Sequence, residues 1–344
     1  MTKPSTFDPS AAASPDSGIY GLPYSVDEAR VIVLPVPYAA TTSYGGGAED
    51  GPAALVEASR QVDLFDLDLK RPYEAGIALL HEAAHVRAWH DEARPHASVV
   101  IANAGVDDGT PAFKEALHRV NELSHRVNED TYEHARELLS RNKLVALVGG
   151  DHATPYGAIR AHAEVHPGMG VLHIDAHADL RVAYEGFTWS HASIMHNVME
   201  RLDKVAKLVQ VGIRDFSEDE YQAIKESKDR IVTHFDSNLA RRRFTGETWG
   251  KQVATILEDL PAKVYVSFDI DGLDPALCPR TGTPVPGGLS FQEVVYLLHA
   301  LSDSGRTIVG VDVNEVVPGE SEWDANVGAR VLYKLIGNML KTQR

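Results

Sequence analysis

Short apolar runs recur along the chain, and longer stretches with helical spacing of apolar residues separate them. The runs are rich in valine, isoleucine and leucine, which is typical of strands covered on both faces of a parallel sheet. Strands that alternate with helices predict an α/β fold with a central, mostly parallel sheet and helices on both faces. The predicted strands cover residues 31–36, 144–148, 171–174, 208–213, 231–234, 264–270 and 308–313.

Two further stretches bear on domain organisation. Residues 111–142 contain no internal proline or glycine and predict one long helix or two abutting helices. Residues 1–17 are rich in Ser, Ala, Pro and Asp and predict disorder. We therefore expect a disordered segment at 1–18 and a single domain at 19–344, which is long enough to bury a substantial core.

Composition narrows the classes of partner and location. With 33 basic and 49 acidic residues, the formal net charge is −16, which argues against nucleic-acid or anionic-membrane partners. Cys278 is the single cysteine, so an internal disulfide is excluded and a reducing compartment fits. The chain start lacks secretory or transit-peptide features, and no apolar run approaches about 18 residues. These features predict a cytoplasmic protein.

Candidate metal ligands fall in three short clusters, each at the end of a predicted strand. The clusters are Gly-Gly-Asp-His at 149–152, Asp-Ala-His-Ala-Asp at 175–179 and Ser-Phe-Asp-Ile-Asp-Gly-Leu-Asp-Pro at 267–275. Alternate side chains of an extended segment point to the same face, so Asp175, His177 and Asp179 are predicted to converge. The same holds for Asp269 and Asp271. Because the carboxyl ends of parallel strands line one crevice, we expect all three clusters at one rim.

The charge of these side chains implies bound cations. Four carboxylates beside two imidazoles would repel one another at neutral pH unless positive charge neutralised them. Two divalent ions that share bridging aspartates at roughly 3.5–4 Å would use all six groups and activate a water between them. Oxygen-rich ligation with some imidazole favours Mn²⁺ over zinc, while Ni²⁺, Co²⁺ and Fe²⁺ stay open.

In this order, the three clusters resemble the motifs of the ureohydrolase family of arginases and agmatinases. The resemblance begins near Pro35, includes Ser-Tyr-Gly-Gly-Gly at 43–47, and continues to Glu315 and the last helix. It implies a three-layer arginase-like fold, two divalent metal ions, Mn²⁺ first among them, and a homotrimer or homohexamer. It also implies a small guanidino substrate.

The resemblance further implies a ligand set and a reaction. A hydroxide between the metals would attack the guanidinium carbon and release urea and an amine, with Asp179 accepting a hydrogen bond from it. Glu315 corresponds to the glutamate that pairs with the guanidinium, and His191 to the histidine that carries a proton to the leaving amine. Ala192 replaces the usual glycine after this histidine. The implied ligands are His152, Asp175, Asp179 and Asp269 for one metal, and Asp175, His177, Asp269 and Asp271 for the other.

The substrate is read from the residues that arginases use for free arginine. In the stretch of this chain that corresponds to the arginase pattern Arg-Asp-x-Asp-x-x-Glu, Ser217 replaces the second Asp. The Asn that arginases have shortly after the position of Asp179 is also absent. Agmatine is therefore the first choice, with Glu185 or Glu220 receiving its distal ammonium. Arg181 would equally suit an acidic tail, as in guanidinobutyrate or formimidoylglutamate. Guanidinopropionate, guanidine and arginine also stay open.

Other protein classes compete for the same residues. The stretch 81–85, His-Glu-Ala-Ala-His, matches the zinc-peptidase pattern, in which two histidines one helical turn apart hold the metal. Surface histidines are the preferred interpretation of it. Deacetylases of related architecture bind a single zinc through Asp-x-His and one further Asp, but the additional His152, Asp179 and Asp271 argue for two metals. A non-catalytic family subunit would have lost ligands, whereas all six are present.

Overall fold

The computed structural model describes residues 7–343, and its centre is one sheet of eight parallel strands. Across the sheet the order is β2-β1-β3-β8-β7-β4-β5-β6, and every neighbouring pair is parallel. The predicted fold class is confirmed. The strands are β1 Val31–Val36, β2 Ile77–Leu79, β3 Leu144–Gly149, β4 Met169–Ile174, β5 Val205–Val211, β6 Ile231–His234, β7 Lys263–Phe268 and β8 Thr307–Val313.

Helices cover both faces, which explains why the central strands are apolar on both sides. Along β1, Val31 and Val33 pack into one core cluster, while Ile32 and Leu34 pack into another. The first face carries α1, α8, α9 and α10, and the second carries α2 to α5. The helices are α1 Gly51–Ser59, α2 Ala84–Ala102, α3 Pro111–Ser140, α4 Tyr156–Val165, α5 Ile194–Arg201, α6 Glu218–Glu226, α7 Asp236–Phe244, α8 Trp249–Glu258, α9 Phe291–Asp303 and α10 Trp323–Lys341.

The long predicted helix is a single element, α3. Thr110 caps it, since its side chain accepts a hydrogen bond from Phe113 N at 3.2 Å, and Pro111 occupies the first turn, where its missing N–H costs nothing. No helix within residues 7–343 has both the length and the apolar character needed to cross a bilayer.

The segment predicted to be disordered falls partly outside the described residues, which begin at Phe7. Phe7 packs against the main core cluster, and Arg60 Nε donates to the Ser17 carbonyl at 3.2 Å. The division at residue 18 stays a prediction.

Candidate metal centre and cavity

Four strands that are neighbours in the sheet, β3, β8, β7 and β4, end at one rim and deliver the candidate residues there. Backbone hydrogen bonds continue past the strand ends: Glu315 N donates to Gly150 O at 2.8 Å, and Asp269 N donates to Ile174 O at 2.9 Å. Segments distant in sequence are thereby held in register. The predicted meeting of the clusters at one rim is what the topology shows.

The two glycines before His152 are required by close packing. A Cβ on Gly149 would lie 2.1 Å from Thr154 Oγ1, and one on Gly150 would lie 2.2 Å from the Tyr38 carbonyl oxygen. Any larger residue would push the following turn out of place. The glycines thus allow β3 to end tightly against its neighbours and to present His152 to the rim.

Hydrogen bonds fix the orientation of the His152 ring. Ser267 Oγ donates to Asp312 Oδ1 at 3.0 Å, so it accepts from His152 Nε2 at 2.9 Å. In the neutral ring, the other nitrogen, Nδ1, then carries the lone pair that a cation could use. It faces Asp175 Oδ2 at 3.0 Å, Asp269 Oδ2 at 3.2 Å and Asp179 Oδ2 at 3.6 Å.

The aspartates converge, but not as alternate residues of extended segments, as was predicted. Asp269 is followed by a 3-10 turn and accepts Asp271 N at 2.9 Å, and Asp179 has φ 54°. Neither stretch is therefore a continued strand. A positive φ is uncommon for residues other than glycine and raises the energy of the backbone. The packing around Asp179 holds it in this conformation.

A second group of donors shares Asp175 with the first. His177 Nδ1 lies 3.0 Å from Asp271 Oδ2 and 3.5 Å from Asp175 Oδ1. Asp175 thus presents Oδ2 to His152 and Oδ1 to His177. The structure therefore brings together all six residues predicted as metal ligands, in two groups that meet at one carboxylate.

The electrostatics of this cluster fit cations. Among residues 7–343, no lysine or arginine forms an ion pair with its four carboxylates, so only imidazoles meet their charge. Burial and neighbouring carboxylates raise the pKa of Asp179 and of Asp269 well above the usual range. Burial opposes the charged form of His177, but Asp271 and Asp175 outweigh it and raise its pKa.

His173 was not predicted as part of this site. It lies inside β4, fully buried, and its Nε2 is 2.8 Å from Asp175 Oδ2. Its position two residues before Asp175 places both side chains on the same face of the strand. That alternation was visible in the sequence, but a histidine within an apolar strand is more often a core residue.

Glu315 contacts the cluster at His152, and His191 lines the cavity beside it. Glu315 is 6% exposed, has φ 61°, and its Oε1 accepts His152 N at 3.0 Å. His191 Nδ1 lies 3.3 Å from Thr41 Oγ1, which donates to Asp151 Oδ2 at 3.2 Å. Because the hydroxyl proton goes to Asp151, Thr41 accepts from Nδ1, leaving His191 Nε2 as the reactive nitrogen. Burial, with the charge of His177, lowers the pKa of His191 to about 4.

A cavity of about 150 Å³ opens beside the cluster. His177, Asp179 and His191 line it, and Arg181 and Glu220 stand in its wall. Its remaining wall residues are Ser43, Tyr184, Ala192, Asp215, Phe216 and Thr283.

The three residues predicted to bind the substrate differ in their exposure and in their position relative to the cavity. Arg181 is 39% exposed, with its guanidinium carbon 5.1 Å from the Tyr184 ring centre. Glu220 is buried, and both its oxygens are occupied: Oε1 accepts Leu180 N at 3.0 Å, and Oε2 accepts Ser217 N at 2.7 Å. Glu185 is not among the cavity residues; its backbone packs against Gly105, where a Cβ would lie 2.4 Å from Glu185 Cα.

The competing zinc-peptidase pattern is not on one helix. His81 precedes the start of α2 at Ala84, so it does not lie one helical turn from His85 on the same face. His85 Nε2 instead bonds Asp130 Oδ1 at 2.7 Å, and Glu82 bonds Arg87. The preferred interpretation as surface residues fits these contacts.

Comparisons with known proteins identify the family to which this fold belongs. The Arginase family model matches residues 29–337. An N(1)-aminopropylagmatine ureohydrolase of Thermus thermophilus is 34% identical over 90% of both chains, and an agmatinase of Salmonella paratyphi B is 32% identical over 91% of this chain and 88% of its own. The solved proclavaminate amidino hydrolase of Streptomyces clavuligerus has a TM-score of 0.73 at 24% identity, over 97% of this chain and 100% of its own.

The family so matched is binuclear and metal-dependent, as the two donor groups would require. The chain therefore belongs to the arginase family and is a hydrolase of amidino C–N bonds.

Proposed function

We propose that this enzyme hydrolyses a small guanidino compound to urea and an amine, with two divalent cations held by the cluster at the sheet rim. The observation that carries the proposal is the pair of donor groups that share Asp175 beside a cavity. A single zinc would leave one group of buried carboxylates without a counter-charge.

The family resemblance assigns the six residues to the two cations, and the two donor groups that share Asp175 support this assignment. His152, Asp175, Asp179 and Asp269 would hold one, and Asp175, His177, Asp269 and Asp271 the other. The oxygen-rich donor set supports Mn²⁺, with Ni²⁺ or Co²⁺ as substitutes. When bound, such a pair supplies Lewis acidity and lowers the pKa of a water, so that a nucleophile is present at neutral pH.

The protein's own residues orient the substrate and move the proton. Glu315 uses Oε1 for His152 N, which fixes its carboxylate plane beside the cluster for a guanidinium fork. Asp179 accepts a hydrogen bond from the attacking group. His191, held through Nδ1 by Thr41, presents an Nε2 lone pair that would take a proton from the attacking water and pass it to the leaving amine.

We propose agmatine, or an agmatine carrying an N-substituent, as the substrate. Two relatives are named for such compounds, N(1)-aminopropylagmatine ureohydrolase and agmatinase. Glu220 is fully engaged with backbone and Ser217, so it is a poor acceptor for the distal ammonium. Asp215, which is exposed and lines the cavity, is the better acceptor.

Arg181 favours a second candidate, a guanidine with an acidic tail such as guanidinobutyrate. Its guanidinium stands in the cavity wall, 3.7 Å from Glu220 Oε2 but partly exposed. A carboxylate arriving from the cavity would meet a charge-assisted donor there.

One experiment tests the reaction and the metal content together. Purified enzyme loaded with Mn²⁺ should contain two ions per chain and release urea from at least one member of a panel of agmatine, aminopropylagmatine, guanidinobutyrate, guanidinopropionate, arginine and guanidine. Asp175→Asn and Asp269→Asn should lose both properties, whereas His81→Ala should keep them. A single ion per chain, or formation of no urea from any compound, would refute the proposal.

Assembly and location stay predictions. A homotrimer or homohexamer follows from the resemblance, and a cytoplasmic location follows from the composition. Size-exclusion chromatography with light scattering would test the first.

A further inference from the structure

His173 presents a choice between two roles. With His152, Asp175 and Asp179 it belongs to a group whose potential ligand atoms all lie within 4.8 Å of one another. It would be a third imidazole ligand if Nε2 carried a lone pair. It would be a hydrogen-bond donor to Asp175 if Nε2 carried the proton.

Gln210, on the neighbouring strand β5, decides between these roles. Its amide nitrogen donates to the Ala178 carbonyl at 2.7 Å and lies 3.0 Å from His173 Nδ1. Turning the amide over would place its oxygen against the Ala178 carbonyl, two acceptors in contact. In this orientation Thr233 Oγ1 donates to the amide oxygen at 2.8 Å and completes the hydrogen bonds of the Gln210 side chain. His173 Nδ1 is therefore the acceptor, and Nε2–H donates to Asp175.

His152 shows the opposite arrangement. Its Nε2 donates outward to Ser267 Oγ, so Nδ1 is the nitrogen that faces the carboxylates and whose lone pair would meet a cation bound between them. Two buried imidazoles, whose ring centres are 5.1 Å apart, thus face the same Asp175 oxygen with different atoms, one able to bind a cation and one not.

We propose that Thr233, Gln210 and His173 form a positioning relay that orients Asp175, and that His173 is not a metal ligand. The proposal rests on the function proposed above, since it concerns the same cations. The relay runs from β6 through β5 to β4, and His173 pairs with Gln210 in the strand register. It holds Asp175 Oδ2 by one hydrogen bond and restricts rotation of the carboxylate shared by both donor groups. Neighbours that orient a metal ligand in this way raise metal affinity.

The test compares His173→Phe and Gln210→Met with a matched control, Gln252→Met. Gln252 is also fully buried and donates to the Leu239 carbonyl, in the packing of α7 and α8. Mn²⁺ content at saturation, Mn²⁺ affinity by chelator competition, and visible absorption of the Co²⁺-loaded proteins are measured. Thermal unfolding confirms that each variant is folded.

We expect all variants to bind two ions at saturation with the Co²⁺ bands of the wild type, because the donor atoms are unchanged. Affinity should fall roughly 10- to 100-fold in His173→Phe, and in the same direction in Gln210→Met, but not in Gln252→Met. If His173→Phe does not fold, Gln210→Met measured against Gln252→Met carries the test.

Three results would overturn the relay. They are one ion at saturation in His173→Phe, a shifted Co²⁺ spectrum, or an affinity in Gln210→Met equal to that of the control. A wild type that does not bind two ions would overturn the proposed function as well. A wild type that binds two ions but releases no urea would remove the reaction and leave the relay standing.

Discussion

Replacing Glu315 by glutamine removes a carboxylate from beside the metal-ligand cluster while leaving the local backbone bonded. The glutamine oxygen can still accept His152 N, which Glu315 Oε1 now accepts at 3.0 Å, so the turn after β3 should hold. Under the proposed function, the substitution removes the carboxylate that pairs with the substrate guanidinium, at a position only 6% exposed to solvent. Because little water reaches this position to screen charges, the free energy lost is that of a buried charge pair.

Removing one partner of a buried, hydrogen-bonded charge pair costs roughly 2–5 kcal/mol, which corresponds to about a 30- to 4,000-fold lower kcat/KM. Urea release is measured for Glu315→Gln and for Asp324→Asn, loaded with Mn²⁺ to the same content. Asp324 is a control because it is also buried and accepts a backbone N–H, from Arg280 at 2.8 Å, outside the cluster. A change of less than threefold in Glu315→Gln, or an equal loss in Asp324→Asn, would refute the assignment.

Three further predictions address positioning, selectivity and pH. In urea release, Thr41→Val should lower kcat roughly three- to tenfold with little change in KM, because His191 Nδ1 loses its hydrogen-bond partner. Thr41→Ser should restore kcat, and equal rates in the wild type and both variants would contradict this prediction. Arg181→Ala should raise the ratio of kcat/KM for agmatine to kcat/KM for guanidinobutyrate roughly two- to fivefold, because a positive charge in the cavity wall is removed. A lower ratio would contradict this role of Arg181. Burial lowers the pKa of His162 to about 4, so this group favours unfolding as pH falls from its unfolded value toward 4. Urea denaturation should show stability falling by up to about 1.4 kcal/mol per pH unit in that window, with a flatter profile in His162→Gln; parallel profiles would refute it.

The predicted strands were found because burial on both sheet faces leaves an unbroken apolar run. That signal is missing for β2, Ile77–Leu79, which has only three residues at the sheet edge and follows Gly76. The long helix α3 was predictable since nothing in it interrupts the helical backbone.

For the site, the residue types at the predicted strand ends were enough to predict that the six proposed ligands lie together. They were not enough to predict the local backbone conformation. Asp179 and Glu315 have positive φ, a cost that a single sequence does not reveal. Gln210 and His173 meet through strand register, so their partnership needs the sheet order. Glu185, predicted near the substrate, does not line the cavity; its backbone packs against Gly105 with φ 53°.

The place of β8 in the sheet bears on how the molecule is made. This last strand lies between β3 and β7, and among residues 7–343 no other strand joins the two halves. We therefore expect two separate half-sheets during synthesis until β8 has left the ribosome, because the pairing of strands distant in sequence is slow. Five of the six proposed ligands follow β4 and β7, which pair directly, whereas His152 follows β3 and reaches them only across β8. The complete set of donors therefore forms only after β8 has paired. A product cut short before β8 would expose the edges of β3 and β7, both apolar, as templates for aggregation.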